Sequence, residues 1–170
     1  MVEVVVAKLA VDASSRTYVV ILQEKDGDRL LPIWIGQAEA ESIIIEMHHI
    51  ERSRPLTHDL CRTLILALGA ELRRVEITRI EARTYFAEMH LVRDGQLHRV
   101  DARPSDSIAI ALRLGAPLFA DDALLAEPDE NGEFGEEPPG PPDTSSELTA
   151  EKLKAYLERL RPEDFGKFNP

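Results

Sequence analysis

The stretch Arg54-Pro55-Leu56-Thr57-His58-Asp59-Leu60 places a guanidinium, a hydroxyl, an imidazole and a carboxylate around what reads as the start of a helix. The first amides of a helix lack intrahelical partners, and the dipole end there is positive. Such a terminus receives phosphate or carboxylate, and Arg54 would add a bidentate grip. His58 is suited to moving a proton near neutral pH. Asp59 would accept a proton, orient His58 or hold a divalent metal. A structural role fits the same residues: Thr57 as cap, Asp59 against the dipole, Arg54 in a surface ion pair.

Arg103-Pro104-Ser105-Asp106 repeats this grammar, with Asp101 just before it at a strand end. Ser105 reads as a cap, Asp106 falls in the first turn, and Arg103 projects beside it. If the fold joins the two starts, they make a pocket with two anion grips and several carboxylates. That suits phosphodiester cleavage, with arginines and amides neutralising phosphate and Asp or His activating water. Whether they converge is a question for the fold. A third candidate is the helix face carrying Glu39, Glu46 and His49, where a carboxylate and an imidazole would share a metal, although a solvated polar face is the simpler reading of the same pattern. Trp34 in its apolar strand and Cys61 early in its helix read as packing residues. No phosphate-binding Gly-Lys loop, hydrolase serine elbow or His-Glu-x-x-His zinc helix occurs.

Around these groups the chain alternates between strand and helix periods. Val2, Val4 and Val6 alternate as in a half-buried strand, and Thr17 to Glu24 and Arg29 to Ile35 read as a hairpin turning at Asp26-Gly27. Gly36 breaks the strand, and Ala40, Ile43, Ile44, Met47 and Ile50 recur at helical spacing. The next helix, capped by Thr57, shows a Leu60, Leu64, Leu68 stripe and ends at Gly69. Leu72 to Ile80 and Thr84 to Arg93 read as strands. A strand from the Asp94-Gly95 turn to about Asp101 follows. The helix after Arg103 has Ile108, Ala109, Ala111 and Leu112 as its buried side, and Pro117 to Ala120 is a short last strand. Twice, then, a hairpin turns at Asp-Gly and runs into a helix. The expected fold is α+β: a compact mixed or antiparallel sheet built from hairpins, with helices packed on it.

Composition sets the class. The chain has 170 residues, 44% apolar and 5% aromatic, enough for an aliphatic core in one ordinary domain plus a tail. Cys61 is the single cysteine, which excludes an intrachain disulfide. No apolar run approaches the roughly 20 residues that span a bilayer, and Met1-Val2-Glu3 does not open a secretory signal. A cytoplasmic protein without membrane association is expected. The net charge of −11 is uneven: residues 1–119 hold 17 acids and 15 bases (−2), and residues 120–170 hold 14 acids and 5 bases (−9). The near-neutral first part neither suggests nor excludes nucleic acid. Residues 127–146, with Pro128, Pro138, Pro139, Pro141 and Pro142 among acids and glycines, read as an acidic flexible linker. Leu148, Leu153, Tyr156, Leu157 and Leu160 form an amphipathic C-terminal helix within 147–170.

Taken together, Leu31-Pro32-Ile33-Trp34-Ile35-Gly36 with Glu39-Ala40, Arg54 to Leu60, Thr84-Tyr85-Phe86-Ala87, and Val100 to Asp106 resemble, in order, the bifunctional nuclease domain family of bacteria and plants. The likeness covers residues 1–126. It implies a compact α+β domain, a homodimer or higher homo-oligomer, and nuclease activity on DNA and RNA. It carries over no catalytic set, so the residue roles rest on the helix-start argument. Arg54, Thr57, Arg103 and Ser105 would bind phosphate. His58, Asp59, Asp101 and Asp106 would be catalytic. Asp59 and Asp106, with Glu39 as an outlying candidate, would hold Mg or Mn. The alternative is a non-catalytic module binding an anion, a nucleotide or a protein.

Overall fold

The computed structural model describes residues 1–11 and 17–128. From residue 129 onward, the expected linker and C-terminal helix lie outside the described residues. Seven strands form one mixed sheet: β1 (Val2–Val11), β2 (Tyr18–Glu24), β3 (Leu30–Ile35), β4 (Glu71–Glu81), β5 (Thr84–Arg93), β6 (Gln96–Ala102) and β7 (Leu118–Ala120). Their order is β3-β2-β1-β7-β4-β5-β6. β1-β2-β3 and β4-β5-β6 are antiparallel meanders. β7 joins them, antiparallel to β1 and parallel to β4. Each meander ends in an edge strand that feeds a helix: β3 leads into α1 (Gln37–Met47) and β6 into α3 (Pro104–Leu114), while α2 (Thr57–Ala67) follows α1. The doubled hairpin-then-helix pattern is thus the plan of the whole sheet.

Alternation along the strands selects the covered face. Val4, Leu22, Leu31, Val75, Ile77, Ala87 and Leu118 join Ala40 and Ile43 of α1 and Ile108 and Ala109 of α3 in one buried cluster. α3 lies against β4 and β5, α1 against β2, and both α1 and α2 pack on α3. Pro104 occupies the first turn of α3, where its missing N–H costs nothing. Gly69 (φ +70°) and Gly115 (φ +64°) end α2 and α3 in the left-handed conformation that suits glycine.

Two helix faces differ from the sequence pattern. Leu60, Leu64 and Leu68 on α2 are 53%, 52% and 59% exposed, and the packed side is Cys61 and Ile65. The rotation follows from polar partners: Asp59 and Arg62 reach Arg113 of α3 and turn the leucine stripe outward. On α3, Arg113 is buried and Leu112 only partly so.

Asp94 (φ +50°) and Gly95 (φ +76°) form the expected hairpin turn between β5 and β6, both with the positive φ that a tight two-residue turn favours. The β4–β5 turn uses Ala82 (φ +45°) and Arg83 (φ +67°), where neither residue relieves the left-handed backbone. Arg83→Gly should raise stability by about 0.5–1 kcal/mol, read as a higher denaturant midpoint at unchanged slope. A lower midpoint would show that the turn carries no such strain.

Candidate functional site

The starts of α1, α2 and α3 open on one cleft of about 670 Å³, lined by Glu39 and Ser42 of α1, Thr57 and His58 of α2, and Arg103 and Asp106 at α3, among others. Sequence periodicity identifies each start. Their meeting follows from α1 and α2 both packing on α3. Positive dipole ends therefore point into the same space.

The side chains there form one hydrogen-bonded chain. The Ser42 hydroxyl lies 2.8 Å from His58 Nδ1, and His58 Nε2 lies 3.1 Å from Asp106 Oδ1. Arg103 donates from Nε to Asp106 Oδ2 at 2.8 Å and from Nη2 to Asp106 Oδ1 at 3.0 Å. It also donates from Nη2 to Glu39 Oε1 at 2.8 Å. Burial alone would raise the Asp106 carboxyl, but hydrogen bonds from Arg103 and His58, with their charges, hold it below the ordinary 3.8. An ionised carboxylate only accepts, so His58 Nε2 carries the ring hydrogen. In the neutral ring, Nδ1 then accepts from Ser42.

Behind the cleft, Arg113 binds the three helices together. Its Nε donates to Asp59 Oδ1 of α2 at 2.6 Å, Nη1 to the Ala109 carbonyl of α3 at 2.9 Å, and Nη2 to the Ser42 carbonyl of α1 at 3.2 Å. The other Asp59 oxygen accepts from the Leu56 amide at 2.8 Å. Burial pushes the Asp59 carboxyl up, and Arg113, the Leu56 amide and the His58 charge together bring it below 3.8.

The structure thus brings His58, Thr57, Arg103, Asp106 and Glu39 to one cleft and separates the rest. Asp59 and Arg54 line an adjoining hollow with Arg52, Arg62 and Arg113. Asp101 does not reach the cleft. It stands opposite Glu88 in register, on the sheet face turned away from the helices, because its neighbour Ala102 faces the core. Thr57 is the first residue of α2 and Leu56 its N-cap; Arg103 is the N-cap of α3, and Ser105 is buried within the first turn. The expected Mg or Mn would have to compete for these donors with the cations of the chain itself, and Asp59 and Asp106 line separate hollows. Both oxygens of Asp59 and of Asp106, and Oε1 of Glu39, already accept from cations or an amide. Among the described residues, the grouping of three ligand side chains close enough to share an ion is Glu76, Glu88 and His90, outside the cleft. Ser42, Arg52 and Arg113 escape a motif-based reading. Arg113 carries one signal, a charge inside an otherwise apolar helical stripe.

A family model described as the bifunctional nuclease domain matches residues 20–131. The chain belongs to the bifunctional nuclease domain family. An uncharacterized protein of Mycobacterium tuberculosis is 42% identical over 170 residues, covering 97% of this chain and 98% of that protein. Bifunctional nuclease 2 of Arabidopsis thaliana is 30% identical over 103 residues, 58% of this chain and 31% of that protein. Bifunctional nuclease 1 of Oryza sativa subsp. indica is 27% identical over 109 residues, 62% of this chain and 33% of that protein. The matched segment thus spans about a third of the length of those plant proteins. Among the described residues of this one, no helix is long and apolar enough to cross a membrane.

Both depressed carboxyls tie stability to acid pH. A lowered folded-state value means that the contribution is whole above the ordinary 3.8 and fades as pH falls below it. The double variant Asp59→Asn with Asp106→Asn should therefore lose less stability than the wild type between about pH 4 and pH 2, measured by urea denaturation at each pH. Parallel pH profiles would mean that neither carboxylate is stabilised by folding.

Proposed function

We propose that this bifunctional nuclease domain hydrolyses phosphodiester bonds of DNA and RNA with little sequence preference. The observation that carries the reading is the meeting of three helix starts at a cleft holding both Arg103 and His58. Arginine beside helix-start amides suits a phosphate, and phosphate contacts carry no sequence information, which supports low sequence specificity. Arg103, assisted by Arg52 on the same cleft and Arg54 beside it, takes the phosphate. The first-turn amides near Thr57 and Ser105 add the dipole field. A water placed against phosphorus passes a proton to the Ser42 hydroxyl, whose own proton moves to His58 Nδ1. Asp106 stabilises the resulting imidazolium, which returns the proton to the departing ester oxygen. Asp59 acts indirectly, holding α2 against α3 through Arg113.

One observation favours a non-catalytic anion-binding module: Arg103 already donates to two carboxylates of its own chain, so a ligand must compete with them. Turnover separates the readings. On single-stranded DNA and RNA, His58→Ala should lower kcat by about 10²–10⁴, and Arg103→Ala should lower kcat/KM by about 10². Substrate binding without cleavage would favour the binding module, and equal activity in wild type and His58→Ala would assign the cleavage to a contaminant.

We also infer a homodimer formed through α2. The support is the exposed row Leu60, Leu64 and Leu68 along one side of α2. Leu60→Asp with Leu64→Asp should convert a dimer to a folded monomer in analytical ultracentrifugation. An unchanged mass would place the interface elsewhere.

A further inference from the structure

The sheet face turned away from the helices carries a second polar cluster, on β4 and β5. Glu76 stands directly opposite Glu88, and Arg74 opposite His90. Residues paired in this way share a face, and two carboxylates directly opposite one another destabilise a sheet. Arg74 Nε, 2.7 Å from Glu76 Oε1, compensates one of them and leaves Glu76 Oε2 free. That oxygen lies 3.3 Å from His90 Nε2, and Glu88 Oε2 lies 3.5 Å from the same nitrogen.

His90 is only 2% exposed, and its Nε2 is a buried polar atom with no hydrogen-bond partner. Both separations exceed the roughly 2.7–2.9 Å of a charge-assisted N–H···O bond. An orphaned nitrogen at such a depth is costly in a native fold. Two donors each about 2.1 Å from a tetrahedral ion stand about 3.4 Å apart, the spacing found here. The three ligand atoms all lie within 4.8 Å of one another. A cleft of about 430 Å³ bordered by Arg74, His90, Leu97 and Phe119 reaches the ring.

We propose that Glu76, Glu88 and His90 bind a divalent transition ion of tetrahedral preference, zinc first. Imidazole nitrogen with two carboxylates suits zinc better than magnesium or calcium, which favour all-oxygen sets. Two negative charges match the ion, and three protein ligands leave a fourth position for water. Asp101, opposite Glu88 on β6, adds negative charge beside the site, while Arg99, opposite His90, adds positive charge. The proposal is independent of the nuclease reading, because its residues do not line the helix-start cleft.

The test uses the full chain, stripped with chelator and titrated with Zn²⁺ alone by calorimetry, with ¹⁵N NMR of the histidine rings. One equivalent should bind and shift the His90 Nε2 resonance, a tenfold excess of Mg²⁺ should not displace it, and Glu88→Gln should weaken binding at least tenfold. His58→Ala should bind as the wild type does. If Glu88→Gln fails to fold, the wild-type His90 resonance decides alone. Absence of a shift at one equivalent, equal affinity in Glu88→Gln, or loss of binding in His58→Ala would each overturn the proposal.

Discussion

A guanidinium with 1% of its side chain exposed has to be paired, because an unpaired buried charge costs several kcal/mol. Arg113 meets that requirement by reaching three helices at once: the Ser42 carbonyl on α1, Asp59 on α2 and the Ala109 carbonyl on its own α3. The rotation of α2 follows from it, and so does the position of His58 one residue before Asp59. With the helices held in that way, Ser42, His58 and Asp106 fall into one hydrogen-bonded row. The cleft is the outward side of the same arrangement.

The sheet explains why the three starts lie near one another. Two meanders, joined through β7, each finish on an outer strand and send a helix back across the covered face. α1 and α3 therefore approach from opposite edges and pack together in the middle. The two Arg-Pro motifs, 49 positions apart in the chain from Arg54 to Arg103, are brought close by this doubling. They do not play equal parts. Arg103 closes over Asp106 and Glu39, while Arg54 borders the hollow on the Arg113 side.

Local rules carried the strands, the Asp94-Gly95 turn and the two glycine helix ends, because period, turn chemistry and positive φ are properties of a few adjacent residues. The same rules misplace the inward face of α2, since a one-sided leucine stripe reads as core-facing and only a tertiary ion pair selects the Cys61 and Ile65 side that packs. They also miss the Ala82-Arg83 turn, where the antiparallel pairing of β4 and β5 imposes a backbone that the residue types do not announce. The helix starts as an anion-facing feature were legible. The division of the carboxylates was not: Asp59 faces Arg113, Asp106 faces His58, and Asp101 lies beyond the sheet. Strand alternation does carry that last fact, because an inward Ala102 obliges Asp101 to point away.

Folding fixes His58 between an ionised Asp106 and the Ser42 hydroxyl, so that one ring nitrogen holds the hydrogen and the other is kept as acceptor. The direct measurement is the pair of ¹⁵N chemical shifts of the His58 ring at a pH where the ring is neutral. The expected result is a protonated Nε2 and an unprotonated Nδ1. A ring carrying its hydrogen on Nδ1 would contradict it.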